Sequence, residues 1–267
     1  MTVNQAAWVP KDVNVDLPSA ARVYDYLLGG AHNFAADRAV GERVLQVLPD
    51  GRQVAISNRS FLRRAVRHLV ELGITQFLDL GSGIPTSGNV HEIAQRADPS
   101  ARVLYVDYDE VAVAHSELLL AGNAGATVLA ADLTRPEAIL DAPITREFLD
   151  FSRPIGLLMV AVFHFVPDTL DPAGIVAAYR DALPAGSYLA LSHLTADHQP
   201  EAMAGVVEAM RNSRDPMYFR TYDDVAPMFA GLELIEPGLV SAPTWRPDAG
   251  VREPGPEGVY AGVGRKP

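Results

Sequence analysis

The sequence predicts an α/β fold of the Rossmann-like type, in which an N-terminal helical extension precedes a seven-stranded, mostly parallel sheet. Three observations favour this fold. A short apolar run at residues 77–80 is followed by a glycine turn and by an amphipathic helix from Val90, the order that opens a nucleotide-binding sheet. Three predicted strands end at or near an aspartate. A further strand, residues 155–160, is apolar throughout, as expected of a central strand covered on both faces.

The glycine turn after the first strand indicates which ligand the sheet binds. Gly81 and Gly83 allow a tight turn and let a ligand approach the backbone around Ser82. A dinucleotide-binding loop has a third glycine, where this chain has Thr86. Asp79 has no role in holding a pyrophosphate, but it suits a ligand with a cationic amino group, such as S-adenosylmethionine. We therefore predict an S-adenosylmethionine loop, with an ordinary glycine turn as the alternative.

Composition excludes several kinds of site and partner. The 267-residue chain has no cysteine, which excludes disulfides, thiolate metal sites and cysteine nucleophiles, including that of cytosine-C5 methyltransferases. A net charge of −11 with scattered basic residues argues against duplex nucleic acid, whose binding relies on phosphate neutralisation. No apolar run reaches the roughly 18 residues of a membrane span, and the N-terminus lacks the pattern of a signal peptide. We expect a cytoplasmic protein that does not contact membranes.

The residues before the first strand divide into two predicted segments. Residues 1–18 are polar, contain two prolines and show no periodicity, so we predict a flexible or draped arm. Residues 19–70 are predicted to form a helical cover with two helices before residue 48 and a third helix at residues 58–69. Ser19 is a suitable N-cap for the first of these helices.

The cover carries more ligand-like side chains than helix packing requires. We predict that Tyr24, Tyr26, Asn33 and Phe34 contact the cofactor at its methionine end. A solvated helical extension is the alternative. In the third helix, Arg59 can grip a ligand carboxylate with two hydrogen bonds, although a solvated basic face explains this helix equally well.

Aspartates end the second and third predicted strands. Asp107 lies 24 residues after Gly83, where a carboxylate can accept hydrogen bonds from both ribose hydroxyls. The alternative is a helix cap, a role that Asp109 can also fill. Asp132 ends the third strand, where a carboxylate can meet the exocyclic amine of adenine. Together with Asp79, these aspartates form the strongest functional signal in the chain.

Two histidines are the candidates for catalysis on the acceptor side. His164 follows the fourth strand and His193 ends the fifth, and the carboxyl ends of neighbouring strands open into the ligand cleft of a doubly wound sheet. A histidine near its free pKa is a usable general base at neutral pH. The alternatives are a hydrogen-bonded structural role for each and a metal site with Asp197 and His198; we predict no metal.

The remainder of the chain completes the sheet. Residues 197–217 are predicted to form a helical insert and residues 223–229 a helix. Strands at residues 232–240 and 258–264 close the sheet as an antiparallel hairpin.

From about residue 19 onward, nearly the whole chain resembles a family of S-adenosylmethionine-dependent methyltransferases whose substrate is unassigned. The resemblance rests on residues 21–30 with 33–34 and 37–38, on Asn58-Arg59 with Phe61, and on the segments 76–91, 105–107, 163–168 and 186–193. The sequence departs from the family pattern at Tyr108 and Glu110, which stand where the pattern has an asparagine and a proline. Tyr108 can stack on adenine, but the contact that asparagine offers is lost.

The resemblance implies a class I methyltransferase fold with strand order 3-2-1-4-5-7-6 and a catalytic domain over residues 71–267. It adds Tyr108, Leu133 and Phe163 to the residues expected to bind S-adenosylmethionine. The Asn/Asp-Pro-Pro-aromatic motif of amino-group DNA methyltransferases is absent after strand four, where residues 161–164 read Ala-Val-Phe-His. We therefore expect a small-molecule acceptor, methylated at oxygen or nitrogen, and a monomer or homodimer.

Two other functions remain open from the sequence. One is a non-catalytic module that binds or senses S-adenosylmethionine. The other, less favoured because of Asp79 and the missing third glycine, is a nicotinamide-dependent oxidoreductase.

Overall fold

The computed structural model describes residues 13–85, 88–248, 250 and 255–267, which form a mostly parallel sheet and the helices around it. The helices are α1 (Ala20–Leu27), α2 (Ala35–Val47), α3 (Gly51–Glu71), α4 (Val90–Ala97), α5 (Glu110–Leu120), α6 (Pro136–Leu140), α7 (Pro143–Phe148), α8 (Pro172–Ala182), α9 (Pro200–Met210) and α10 (Tyr222–Val225). The strands are β1 (Gln76–Leu80), β2 (Arg102–Asp107), β3 (Ala126–Ala130), β4 (Gly156–Val160), β5 (Tyr188–Leu194), β6 (Glu233–Leu234), β7 (Val240–Ser241) and β8 (Val259–Arg265).

The strand order confirms the predicted fold class. The sheet runs β3-β2-β1-β4-β5-β8-β6, and β7 also pairs with β8. Strands β1 to β5 are parallel to their neighbours, whereas β8 is antiparallel to β5. As predicted, the last strand lies between the fifth and sixth, so the sheet has a single antiparallel edge. The carboxyl ends of the parallel strands therefore meet at one edge of the sheet.

The period-2 alternation of strand side chains separates the core into two layers. Leu78 and Leu80 of β1 pack in one cluster with Tyr179 of α8, whereas Phe77 packs on the other face with Phe61 of α3. Successive side chains of a strand point to opposite faces. The sheet is thus buried on both sides, as the continuous apolar run of β4 indicates.

The predicted strand at residues 232–240 is wrong in one respect, since it is two short strands rather than one. Pro237 lies between β6 and β7, and Gly238 has a φ of +89°. Proline has no N–H to donate to a strand ladder, and this φ is not that of a strand. The described part of the sheet consequently has eight strands rather than seven.

Several helix limits also differ from those predicted. Helix α3 begins at Gly51 rather than residue 58 because Val54 and Ala55 are buried against the fold, and such packing outweighs weak intrinsic propensities. The predicted insert at residues 197–217 is helical only in α9. Helices α6 and α7, both of which begin at a proline, lie in a region for which we made no prediction.

The predicted helical cover is held together by a buried ion pair between α1 and α2. Arg22 Nε lies 3.1 Å from an Asp37 carboxylate oxygen, with both side chains buried. The Asp37 carboxylate also accepts hydrogen bonds from the N–H groups of Ser19 and Phe34. Of the predicted arm at residues 1–18, residues 1–12 lie outside the described part of the chain. Val13 is buried in a small cluster with residues of α5.

Replacing Asp37 by alanine is expected to lower the free energy of unfolding by about 3–5 kcal/mol. The reason is that Arg22 remains buried without its anion when one partner of a buried ion pair is removed. The matched control is Asp141→Ala, which breaks the exposed Arg146–Asp141 pair and should change stability by less than about 1 kcal/mol. Urea denaturation measures both, and an equal, small loss in the two variants would contradict the prediction.

Helix α9 packs against helix α2 of the cover. A cluster of seven buried residues, which we call the cover cluster, lies between the cover and α9. Its members belong to α1, α2 and α9, except for one that directly follows α2. They are Val23, Val40, Val44, Leu48, Met203, Val206 and Met210. The cluster lies outside both layers that cover the sheet, so the cover and α9 share a hydrophobic core of their own.

Candidate functional site

A cavity of about 400 Å³ opens at the carboxyl ends of the parallel strands and extends under the cover. This volume lies within the range of about 300–1,000 Å³ typical of small-molecule sites. The predicted site residues that line it are Tyr24, Arg59, Asp79, Gly81, Ser82, Gly83, Asp107, Tyr108, Asp132, Leu133 and His164. The structure therefore brings residues from six separate segments of the chain to one site.

The glycine turn forms the floor of the cavity next to β1. Gly81 and Gly83 have φ values of +73° and +66°, which glycine adopts without steric cost. A Cβ atom at Gly81 would lie 2.3 Å from the Val162 side chain, so no larger residue fits there. The Ser82 hydroxyl is buried and has no hydrogen-bond partner within the described part of the chain. This turn leaves a polar side chain free to meet a ligand.

The structure separates the two roles that the sequence left open for Asp107 and Asp109. Asp109 is the N-cap of α5, since its carboxylate accepts from the N–H groups of Val111 and Ala112 at 2.9 and 3.0 Å. Asp107 instead accepts from the Gly83 N–H at 2.7 Å and from the Asp109 N–H at 2.9 Å. Burial raises the pKa of Asp107 to about 6, against the lowering effect of these bonds. Asp107 thus ties the glycine turn to β2.

The segment that follows β3 also lines the cavity. The Asp132 carboxylate accepts from the Thr134 N–H and hydroxyl at 2.9 and 2.8 Å. Leu133 is buried, and its carbonyl accepts from the Tyr179 hydroxyl at 2.8 Å. These contacts fix the backbone that follows β3, where an adenine amine was predicted to bind.

Asp79 is the buried carboxylate closest in sequence to the glycine turn. Burial raises its pKa to about 7, while the positive charge of Arg59 lowers it and the negative charge of Asp107 raises it. A buried carboxylate of this kind favours a cationic ligand, because the cation stabilises its charged form.

Binding of S-adenosylmethionine is expected to weaken as the pH falls below 7. The Asp79 pKa is raised in the free protein to about 7, so below this pH an ammonium group must displace a proton from the carboxyl group. The affinity for S-adenosylmethionine is therefore highest above pH 7, and it falls by up to about tenfold for each pH unit below 7.

Titration calorimetry between pH 7.5 and 5.5 measures the slope of the logarithm of this affinity against pH. The variant Asp79→Asn should bind more weakly at pH 7.5 and lose the slope between pH 7 and 6. The slope that Asp107 adds begins near pH 6, where that group titrates. An affinity of the parent protein that does not change from pH 7.5 to 6 would count against a cation next to Asp79.

Tyr108 joins β2 to both the cover and the segment after α9, an arrangement that the sequence did not indicate. Its hydroxyl is hydrogen bonded to Asp215, and the Arg214 guanidinium lies over its ring at 4.4 Å. Asp215 also accepts from the Ala20 N–H at 2.6 Å. Arg214 and Asp215 lie outside any recognisable motif, so only the folded chain identifies them.

The four predicted ligand residues of the cover have different positions. Tyr24 lines the cavity, and its hydroxyl donates to the Ala55 carbonyl at 3.0 Å. The other three do not line it. Tyr26 stacks with Arg52 at 4.8 Å, the Asn33 amide donates to Asp25 at 2.8 Å, and Phe34 packs under Arg22 at 5.1 Å.

Asn58 is a cavity residue that our site prediction left out, although it adjoins Arg59. Its amide donates to the Tyr24 hydroxyl at 3.0 Å, and its carbonyl oxygen accepts from the Ser192 hydroxyl at 2.6 Å. It therefore connects the cover to β5. Its position one residue before a predicted site residue was the available signal.

The two histidines differ in their access to the cavity. His193 has both ring nitrogens engaged: Nδ1 lies 2.7 Å from the Leu194 carbonyl, and Nε2 lies 2.9 Å from Arg220 Nη1. Since a guanidinium only donates, Nε2 is the acceptor and Nδ1 carries the hydrogen. Burial lowers the His193 pKa to about 4. His193 does not line the cavity.

His164 does line the cavity and is 2% exposed. Its Nδ1 is buried and has no hydrogen-bond partner within the described ranges. Burial, together with His193 and Arg220, holds the His164 pKa well below its usual range, so the ring is neutral at physiological pH. Phe163 beside it is fully buried in the core and does not line the cavity.

The described residues contain neither a membrane-spanning helix nor a metal-binding group of side chains. None of their helices combines the length and hydrophobicity needed to cross a bilayer. They contain no group of three or more histidine, aspartate or glutamate side chains placed to hold a metal ion.

Comparison with known proteins places the chain in a family. The family model described as "S-adenosyl methyltransferase" matches residues 6–267. The chain is similar to the crystal structure of a DUF574 family protein from Streptomyces avermitilis MA-4680, with 41% identity, a TM-score of 0.90 and coverage of 95% of this chain and 100% of that one. No curated protein matches the chain.

One further structure supports the same placement, and a more distant one shares the fold. A protein from Thermobifida fusca YX, provisionally described as a methyltransferase, has 41% identity and a TM-score of 0.91 over 98% of this chain and 99% of that one. An O-methyltransferase family protein from Burkholderia thailandensis shares 12% identity and a TM-score of 0.53 over 83% of this chain and 61% of that one, a likeness of fold alone. With its fold and carboxylate-lined cavity, the chain belongs to the S-adenosyl methyltransferase family, and its cofactor is S-adenosylmethionine.

Proposed function

We propose that the protein transfers a methyl group to a small-molecule acceptor at an oxygen or nitrogen atom. The observation that carries this proposal is that the aspartates at the strand ends and His164 line the same cavity. A net charge of −11 supports a small-molecule acceptor over duplex nucleic acid.

The residues at the strand ends suit S-adenosylmethionine. Asp107 would accept hydrogen bonds from the ribose, and Tyr108 would cover the adenine, whose amine would meet Asp132. Asp79 would hold the amino group, since its burial makes a cation favourable there. The unpartnered Ser82 hydroxyl at the turn supplies a further polar contact.

Arg59 would hold the carboxylate of the cofactor. It lines the cavity and its charge acts on Asp79, so the cation and the anion of an amino acid would each meet an opposite charge.

When bound, S-adenosylmethionine supplies a methyl group attached to a sulfonium. The lone pair of an acceptor would form the new bond to this carbon, the carbon–sulfur electron pair would stay on sulfur, and the acceptor would release its proton. The chain's own part is to orient the two reactants and exclude water. His164, which is neutral and lines the cavity, would receive the hydrogen bond of the acceptor and its proton.

The test combines calorimetry with turnover. We expect S-adenosylmethionine to bind and NAD⁺ not to bind. With a library of small metabolites, we expect at least one to cause formation of S-adenosylhomocysteine and of a methylated product. Binding of S-adenosylmethionine without turnover on any acceptor would favour the non-catalytic module, and preferential binding of NAD⁺ would overturn the proposal.

A further inference from the structure

We propose that the methyl acceptor is an uncharged, mainly apolar molecule that binds in a chamber between the cover and α9; this inference rests on the proposed function. The chamber is the end of the cavity that extends into the cover cluster. It is lined by Val44, Leu48, Phe165, Met203, Val206 and Met210. None of these side chains carries a charge or a strong hydrogen-bonding group.

The charged residues that line the cavity are associated with its cofactor end. Arg59 acts electrostatically on Asp79. The Asp109 N–H donates to Asp107, and Asp215 is hydrogen bonded to Tyr108. The remaining charged lining residue, Asp132, lies two residues after the end of β3. The described residues thus place charge where the cofactor binds and leave the other end apolar.

This separation selects against a charged acceptor. An ion that enters an apolar chamber loses its hydration and gains no counter-ion, a transfer that is strongly unfavourable. An apolar molecule gains free energy from the surface it removes from water. Met203 and Met210 have flexible, polarisable side chains, which can adapt to the shape of a planar or branched acceptor.

One polar atom of the chain orients the acceptor. His164 lines the same cavity, is 2% exposed, and leaves its Nδ1 without a partner among the described residues. Buried polar groups are normally hydrogen bonded, so this imidazole indicates a ligand with one hydrogen-bonding group. The acceptor class is therefore an apolar molecule with a single hydroxyl or amine.

A matched pair of fluorescent probes tests the charge of the ligand. N-phenyl-1-naphthylamine is neutral, and 8-anilinonaphthalene-1-sulfonate has the same ring systems with one added negative charge. Both are titrated into the protein saturated with S-adenosylhomocysteine, so that the cofactor end is filled. We expect saturable binding of the neutral probe and at least about tenfold weaker binding of the sulfonate.

Neighbouring valines of α9 test the location. Val206 lines the cavity, whereas Val207 is half-buried on the same helix and does not line it. We expect Val206→Asp to weaken binding of the neutral probe by at least about tenfold and Val207→Asp to leave it within about twofold of the parent. If Val206→Asp fails to fold, the nearly isosteric variants Val206→Thr and Val207→Thr are compared instead. We then expect weaker binding of the neutral probe in Val206→Thr only.

The outcomes separate this inference from the proposed function. Calorimetry with S-adenosylmethionine tests the cofactor site of each variant independently of the probe. If the parent binds the cofactor but the sulfonate binds as tightly as the neutral probe, the apolar chamber is not the acceptor site. Equal losses in the two valine variants, or no saturable probe binding, would overturn the inference as well. If the parent fails to bind S-adenosylmethionine, the proposed function itself fails.

Discussion

Replacing Asp107 by alanine is expected to weaken S-adenosylmethionine binding by about a hundredfold or more. The two charge-assisted hydrogen bonds that we propose between Asp107 and the ribose would contribute roughly 1.5–3 kcal/mol each, and about 1.4 kcal/mol corresponds to a tenfold change in affinity. The same substitution also removes the acceptor of the Gly83 N–H, so the turn that faces the ligand loses its tie to β2. Titration calorimetry measures the effect directly.

Two further variants show which property of Asp107 matters. Asp107→Asn keeps an acceptor oxygen but loses the charge, so we expect a smaller loss of affinity than with alanine. Asp109→Ala removes the N-cap of α5 and should lower the free energy of unfolding by about 1 kcal/mol, with a smaller effect on cofactor affinity than Asp107→Ala. An Asp107→Ala protein that is folded and binds within threefold of the parent would show that Asp107 is a structural residue only.

Replacing His164 by glutamine is expected to lower the turnover number by about a hundredfold, once an acceptor is known. General-base catalysis contributes typically about 10²–10⁴-fold. We expect the lower end because the depressed pKa of His164 makes the ring a weak base, although it is neutral and available to the acceptor throughout the physiological range. Cofactor affinity should be unchanged, since His164 was predicted on the acceptor side and not among the cofactor residues.

The matched comparison is His193→Gln. Both nitrogens of His193 are already hydrogen bonded, so its loss should act through the position of Arg220 and reduce turnover less than the loss of His164. Turnover within about threefold of the parent in both variants would mean that neither imidazole is the base. Methyl transfer would then rest on proximity and orientation.

Local patterns in the sequence predicted most of the strands and helices, whereas the order of the sheet was implied by the resemblance to a known family. Strands and helices follow from local apolar periodicity, and the carboxyl ends of parallel strands meet at one edge. The positions of Asp79, Asp107 and Asp132 at strand ends were therefore enough to predict that they share a site. Gly81 could be assigned for a similar local reason, since glycine permits a tight turn and the close approach of a ligand to the backbone.

The roles of several site residues depend on contacts between segments that are distant in sequence, and these became known only from the folded structure. It assigned the helix cap to Asp109 rather than Asp107, because the direction of each carboxylate depends on the path of the chain after β2. It also placed Tyr24 in the cavity but directed Tyr26, Asn33 and Phe34 to packing contacts, since residues on one short helix and loop can face different neighbours.

The acceptor end of the cavity could not be predicted from the sequence, because its lining residues come from helices that are distant along the chain. Val44 and Val206 are ordinary core residues in their own helices, and nothing in the sequence around either indicates that they meet. Helical periodicity shows which face of a helix is apolar but not what that face covers. The fold packs α2 against α9, and this packing brings two apolar helix faces to the cavity that His164 also lines.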